Sequence, residues 1–275
     1  MVDYGLPILY ALFLWWFSTG VIIILDGLPR RTFAWSMTGA TIILLGSLYG
    51  LSWSSTDTSV ASAYIGFSCA LMVWGWHEIS FLMGIVTGPR RSPCPKGISG
   101  WCRFCFATET LLYHELGILA MAALIVALTS HGQNQFGTWT FIILWGMRLS
   151  AKLNVFFGVR NLTEELLPGH LQYLNTYFKR KPINLFFPVS VTVSTIFAIW
   201  IACKAEAALS PFETVGYVFL TALMCLAILE HWFLVLPLSS VRLWSWSVRS
   251  GGDKPPFKTP RMEAGPIRPL WRSNV

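Results

Sequence analysis

Charge is scarce in this chain. Asp, Glu, Lys and Arg make up 12% of its 275 residues, about half the share of a typical soluble domain. That shortage excludes a soluble enzyme and a charge-rich disordered chain. Six cysteines are too few and too scattered for a disulfide-stapled secreted module. Five histidines fall short of the histidine clusters of membrane hydroxylases and desaturases. No internal repeat and no inverted pair of broken spans is visible, which sets aside solenoids and inverted-repeat transporters.

Apolar surface is plentiful. Hydrophobic residues form 54% of the chain, with fourteen Trp and nineteen Phe, and the mean hydropathy is +0.56. Apolar runs long enough to cross a bilayer recur along the sequence. The predicted fold class is all-α: a polytopic membrane helical bundle of about seven transmembrane helices. The spans fall at 5–25, 33–51, 60–86, 106–129, 137–157, 184–203 and 212–236. The first is expected to persist rather than be cleaved. No Lys or Arg precedes it, and Asp26-Gly27-Leu28-Pro29 offers no small-residue cleavage site.

Seventeen of the twenty Lys and Arg fall in alternate loops or after the last span, and only Lys204 lies on the opposite side. Positive residues stay inside, so the N-terminus is expected outside and the C-terminus in the cytoplasm. Trp35, Trp53, Trp101 and Trp139 sit near span ends, where interfacial aromatics belong. The net charge of +7 thus reads as topology and anionic-lipid contact rather than nucleic-acid binding. Residues 1–249 form the expected membrane domain, and 250–275 a basic, Pro- and Gly-rich cytoplasmic tail. Within the domain, an amphipathic cytoplasmic segment is expected at about 161–180. After Pro168, Leu171, Leu174 and Phe178 continue an apolar stripe begun by Leu167, with His170, Tyr173 and Tyr177 on the more polar side.

A charge in mid-membrane costs about 2.5–3.5 kcal/mol on insertion scales, so each needs a reason. The spans contain His77 and Glu78, then Glu109, His114 and Glu115, then Arg148 and Lys152, then Glu230 and His231. All fall in the cytoplasmic half; the outer halves hold none, which counts against a transport path. The expected ligand-binding set is His77, Glu78, His114, Glu115, Arg148, Lys152, Glu230 and His231, with Glu165 and His170 completing it from the cytoplasmic side. Buried salt bridges that brace the bundle are the plain alternative. A metal would draw on His77, His114, Glu115, Glu230 and His231, although neighbouring His-Glu pairs point about 100° apart and are not the Glu-x-x-His of di-iron sites. An intramembrane His is equally an axial ligand for a tetrapyrrole metal. Cys102-x-x-Cys105 with Cys94 lacks a fourth zinc ligand. Thr87-Gly88-Pro89-Arg90-Arg91 is explained as a helix stop with two interfacial anchors. No Lys lies in the last span, so a retinal Schiff base is excluded.

Two stretches carry a resemblance. One runs from Trp76-His77-Glu78 through Thr87-Gly88-Pro89-Arg90-Arg91 to Cys94-Pro95. The other runs from Arg148-Leu149-Ser150-Ala151-Lys152-Leu153-Asn154 through Glu165-Leu166-Leu167-Pro168, His170 and Tyr173 to Tyr177-Phe178. Together they resemble the PuhE family, photosynthetic complex assembly proteins of purple and related phototrophic bacteria. The resemblance implies a multi-pass protein of the bacterial inner (plasma or intracytoplasmic) membrane. Its expected partners are the lipid bilayer and reaction-centre and antenna subunits or pigment-synthesis proteins. Bacteriochlorophyll or a divalent metal is the expected cofactor. An assembly factor is the leading expectation, and a membrane metalloenzyme acting on a tetrapyrrole or lipid the alternative. No catalytic residue carries over.

Overall fold

The computed structural model describes residues 4–162, 167–237 and 243–247. Seven helices in it are long and apolar enough to cross a membrane. They are α1 (Gly5–Asp26), α2 (Phe33–Ser55), α3 (Val60–Leu82), α5 (Leu112–Thr129), α6 (Phe136–Phe157), α7 (Phe186–Glu206) and α8 (Pro211–Val235). A shorter helix, α4 (Gly100–Glu109), precedes α5, and a 3-10 helix (Gly169–Tyr177) lies between α6 and α7. No strand forms among the described residues; Val159 and Arg180 make one isolated bridge. Glu165 and the tail at 250–275 lie outside the described residues.

α3 is the most enclosed long helix, followed by α8. α3 packs against α1, α2, α5, α6 and α8. Its Phe67 is fully buried and stacks on Phe219 of α8 at 4.4 Å between ring centroids. Tyr10 of α1 and Tyr64 pack edge-on nearby. By contrast, Trp35, Trp53, Trp101 and Trp139 are all exposed, as anchors at a membrane boundary would be.

The second span runs on to Ser55 rather than ending at residue 51, and two other predicted span ends move for a clear local reason. α3 stops at Leu82 rather than at residue 86. Gly84 adopts φ +74°; its N–H bonds the Phe81 carbonyl, and the Ile85 N–H bonds the Ser80 carbonyl. These are the two hydrogen bonds of a Schellman stop. The fourth span does not begin at residue 106. The chain breaks at Thr110–Leu111, whose N–H groups bond the Ala107 and Thr108 carbonyls, the tight spacing of a helix end. Hydropathy continues across this break, so the sequence pattern conceals it. In consequence Glu109 leaves the expected charged layer and pairs with Arg90 at 2.7 Å.

At the end of the bundle away from these breaks, neutral polar groups knit the helices together. Asn134 donates to the carbonyls of Ser54 and Ser62 and receives the Phe136 N–H. Thr129 and Thr138 hydroxyls meet at 2.8 Å. Such bonds satisfy buried backbone and hydroxyl groups without introducing charge.

Candidate functional site: a charged cavity and a histidine pair

The half of the bundle near the breaks encloses a cavity of about 540 Å³. Its walls come from α1, α3, α4, α5, α6 and α8, with Leu174 and Tyr177 of the 3-10 helix on one side. Most of the lining is aliphatic or aromatic. Into it project Glu78, Glu115, Arg148, Lys152 and Glu230, five of the eight expected charged or imidazole residues of the spans.

Four of these five form two ion pairs, and the fifth, Glu230, is bonded by an indole. Arg148 Nη2 donates to Glu78 Oε2 at 3.2 Å, linking α6 to α3. One turn along α6, Lys152 Nζ donates to Glu115 Oε1 at 2.6 Å, and Trp145 Nε1 donates to Oε2 of the same carboxylate at 3.3 Å. Positions 148 and 152 share a helix face by their i, i+4 spacing, so both cations reach the cavity. Glu230 has an indole as its hydrogen-bond donor: Trp15 Nε1 of α1 at 2.8 Å. Trp15, Trp145 and Trp244 are participants the sequence did not disclose. A tryptophan in a span reads as apolar, yet its N–H needs a partner when buried. Trp244 caps this side by stacking edge-on against Trp15 and donating to the Trp16 carbonyl.

His231 is bound into the scaffold. Its Nδ1 contacts the Ala227 carbonyl at 2.8 Å and its Nε2 the Ser150 hydroxyl at 3.0 Å. A carbonyl only accepts, so Nδ1 carries the proton and Nε2 accepts from Ser150. His77 and His114 are elsewhere again. Both are buried, neither lies on the cavity wall, and their rings approach edge-on at 6.4 Å between centroids. Of the ten expected residues, five therefore line the charged cavity and two form a separate histidine pair, while His231 and His170 are tied to the scaffold.

The expected five-residue metal set is not assembled. Among the described residues no three His, Cys, Asp or Glu side chains could hold an ion together. Lys152 and Trp145 occupy Glu115, Trp15 occupies Glu230, and both nitrogens of His231 are engaged. The −1 spacing of each His-Glu pair is the reason: on α3, Glu78 turns into the cavity while His77 turns toward α5.

The 3-10 helix seats itself on the open end of α3. Leu171 and Leu174 are buried against Phe81. Tyr177, expected on the polar side, is buried as well. A 3-10 helix repeats every three residues, which brings 171, 174 and 177 onto one face. Tyr177 donates from its hydroxyl to the Ser92 carbonyl at 2.9 Å, and Arg103 donates to the Tyr177 carbonyl. His170 sits at the rim, with Nε2 donating to the Leu82 carbonyl at 2.8 Å. Burial holds this imidazole below its ordinary pKa, against the raising effect of that carbonyl. It is neutral at pH 7 and acts as a tether, away from the charge pairs.

The Thr87–Arg91 stretch does more than end a helix. The Thr87 carbonyl receives the His114 N–H at 2.9 Å, and the Arg90 N–H reaches the Glu109 carbonyl at 3.4 Å. Gly88 lies against the backbone of the α4–α5 break, where a Cβ would overlap the Glu109 carbonyl and approach the Thr110 carbonyl carbon to 2.6 Å. This loop thereby locates the start of α5, and with it His114 and Glu115.

With that geometry in place, similarity to known proteins bears on the site. The family described as "Protein of unknown function (DUF3623)" matches residues 1–254. The chain belongs to the DUF3623 family. A relative in Rhodobacter capsulatus, described as "Uncharacterized 30.4 kDa protein in puhA 5'region", is 40% identical over 250 residues, covering 89% of this chain and 91% of the relative. The match over residues 1–254 takes in every helix of the bundle and every ionisable residue named above in the cavity, together with Asp26, which also lines it. No solved structure matches the chain.

Proposed function

We propose that this DUF3623 protein is a PuhE-type assembly factor for the photosynthetic reaction centre and its antenna. In this reading it crosses the bacterial inner membrane seven times and holds bacteriochlorophyll or a precursor in the charged cavity. The cavity carries the reading. A space of about 540 Å³ lies within the range of sites that enclose a cofactor-sized ligand. Its apolar walls suit a macrocycle or its hydrocarbon tail. The Arg148 guanidinium and the Lys152 ammonium provide hydrogen-bond donors for carbonyl or carboxyl substituents, and Glu230 an acceptor. The relative in the puhA 5' region supports a photosynthetic context. Reaction-centre or antenna subunits are the proposed recipients.

The test is an absorption spectrum of the full chain, expressed in a bacteriochlorophyll-producing host and purified in mild detergent. The expected result is about one equivalent of a bacteriochlorin, reduced severalfold by Leu223→Trp, which fills the cavity from α8. Colourless protein from that host, or pigment indifferent to the filled cavity, would overturn the assignment.

The orientation proposed with it places the N-terminus outside, on the strength of the basic-residue bias. A reporter joined after Val275 should be active only as a cytoplasmic fusion, and one inserted at Asp57 only as a periplasmic one. The opposite pattern would refute this orientation and leave the pigment reading standing.

A further inference from the structure

We propose that the segment 243–247 is a strap that gates the charged cavity, and that its release from α1 opens the cavity while the bundle stays folded. Trp244 is buried and forms part of the cavity wall. Its ring packs edge-on against Trp15 of α1 at 5.3 Å between centroids, and its indole donates to the Trp16 carbonyl at 3.0 Å. Trp16 returns the bond: its Nε1 donates to the Leu243 carbonyl at 2.9 Å. The two hydrogen bonds run in opposite directions between the same short stretches, so α1 and the segment clasp each other.

The seat for the strap is made by a missing side chain. Trp246 packs on Trp16 at 5.1 Å, and the far edge of its ring fills the space over Gly20. A Cβ on Gly20 would overlap Trp246 Cζ2 and stand 2.5 Å from Cη2. Gly20 lies inside α1, where glycine is less favourable than alanine; the ring it admits offsets that weakness. Positions 16 and 20 share one face of α1 by their i, i+4 spacing. That face receives the segment.

The way the segment is held makes it a gate rather than a fixed wall. Each of these contacts with α1 runs through a side chain. Among the described residues no backbone–backbone hydrogen bond joins 243–247 to the helices; the Ser247 N–H turns back on the Trp244 carbonyl. Leu243 and Trp246 are exposed. Segments held in this manner open locally at lower free energy than the core beneath them. Undocking breaks two hydrogen bonds and two ring contacts. It leaves the Arg148–Glu78 and Lys152–Glu115 pairs on α3, α5 and α6 in place. Trp15 ties closure to the site, because the ring that receives Trp244 also donates to Glu230. A docked strap therefore shuts one wall and fixes the donor to Glu230, and its release frees both. The gate operates whether or not the occupant is a pigment.

The test measures how fast a small maleimide reaches a thiol placed in the cavity by Ile143→Cys, in the full chain in mild detergent. α6 has no cysteine of its own, so the mass of its peptide reads the reaction. At low reagent, where closing outpaces modification, the rate follows the opening equilibrium. A second reporter, Ile125→Cys, sits in the core of α5 away from the cavity. Three changes weaken the clasp: Trp246→Ala, Gly20→Ala, which pushes the ring from its seat, and Trp244→Phe, which keeps a ring without its N–H. Each should speed modification at position 143 by about tenfold, the weight of one hydrogen bond or ring contact in such an equilibrium. The double variant Gly20→Ala, Trp246→Ala should be no faster than Trp246→Ala, since both remove the same contact. Modification at position 125 should stay slow throughout. No acceleration at position 143 in any single variant would make the segment a bystander and overturn the proposal. Equal acceleration at both reporters would make it a brace for the whole bundle, and additive acceleration in the double variant would show that Gly20 is not its seat; either would overturn the gate as well.

Discussion

Replacing Arg148 with Met should destabilise the folded bundle by about 1–3 kcal/mol, the cost of leaving the buried Glu78 carboxylate without its partner. Glu78 is the buried end of the pair, while the Arg148 side chain keeps 44% of its exposure. Glu78 is 8% exposed, Arg148 is its hydrogen-bond partner, and its Oε1 has none among the described residues. In Arg148→Met the carboxylate is left either charged in an apolar wall or protonated at a cost. The double variant Glu78→Gln, Arg148→Met removes the charge with its partner and should recover most of the loss. Lys152→Met should be milder, because Trp145 still donates to Glu115 when the ammonium is gone. Unfolding in mixed detergent micelles, followed by tryptophan fluorescence, ranks the three. Equal losses for Arg148→Met and the double variant would show that the pair is not what Arg148 contributes.

Gly88→Ala is the second large effect, and it works through backbone alone. The added Cβ would overlap the Glu109 carbonyl and lie 2.6 Å from the Thr110 carbonyl carbon. Neither is the end of a flexible side chain, so the loop or the α4–α5 break must move. Overpacking of this kind costs about 1–3 kcal/mol even where side chains can adjust; here the upper part of that range is expected. The displacement should also loosen the hydrogen bond from the His114 N–H to the Thr87 carbonyl. Hydrogen exchange at residues 112–116 reads that loosening directly. A wild-type melting point and unchanged exchange would show that the loop tolerates the methyl group.

The seven long helices were legible because crossing hydrocarbon imposes a length and a composition on each segment separately. The charged residues were legible for a related reason: a Glu or Arg inside an apolar run is conspicuous whatever surrounds it. Their partners were not. Glu78 could have met Lys152 or Arg148, and nothing local to α3 or α6 chooses between them. Glu109 shows the limit most plainly. It stands in an apolar run that reads as one span, and only the loop at Gly88 shows where that run breaks.

Periodicity alone determined that this chain is a bundle of long apolar helices with a few ionisable groups confined to one half. Tertiary structure decided that those groups separate into a charged cavity and a buried histidine pair. The physical reason is angular. Successive residues on a helix point about 100° apart, so His77 and Glu78, inseparable in sequence, face different neighbours. Which neighbours they meet depends on how α5 and α6 pack around α3. The same holds at Tyr177, whose side of the chain was settled by three residues per turn rather than 3.6. Hydrophobic patterning is a property of each segment, while the pairing of charges across segments is a property of their packing.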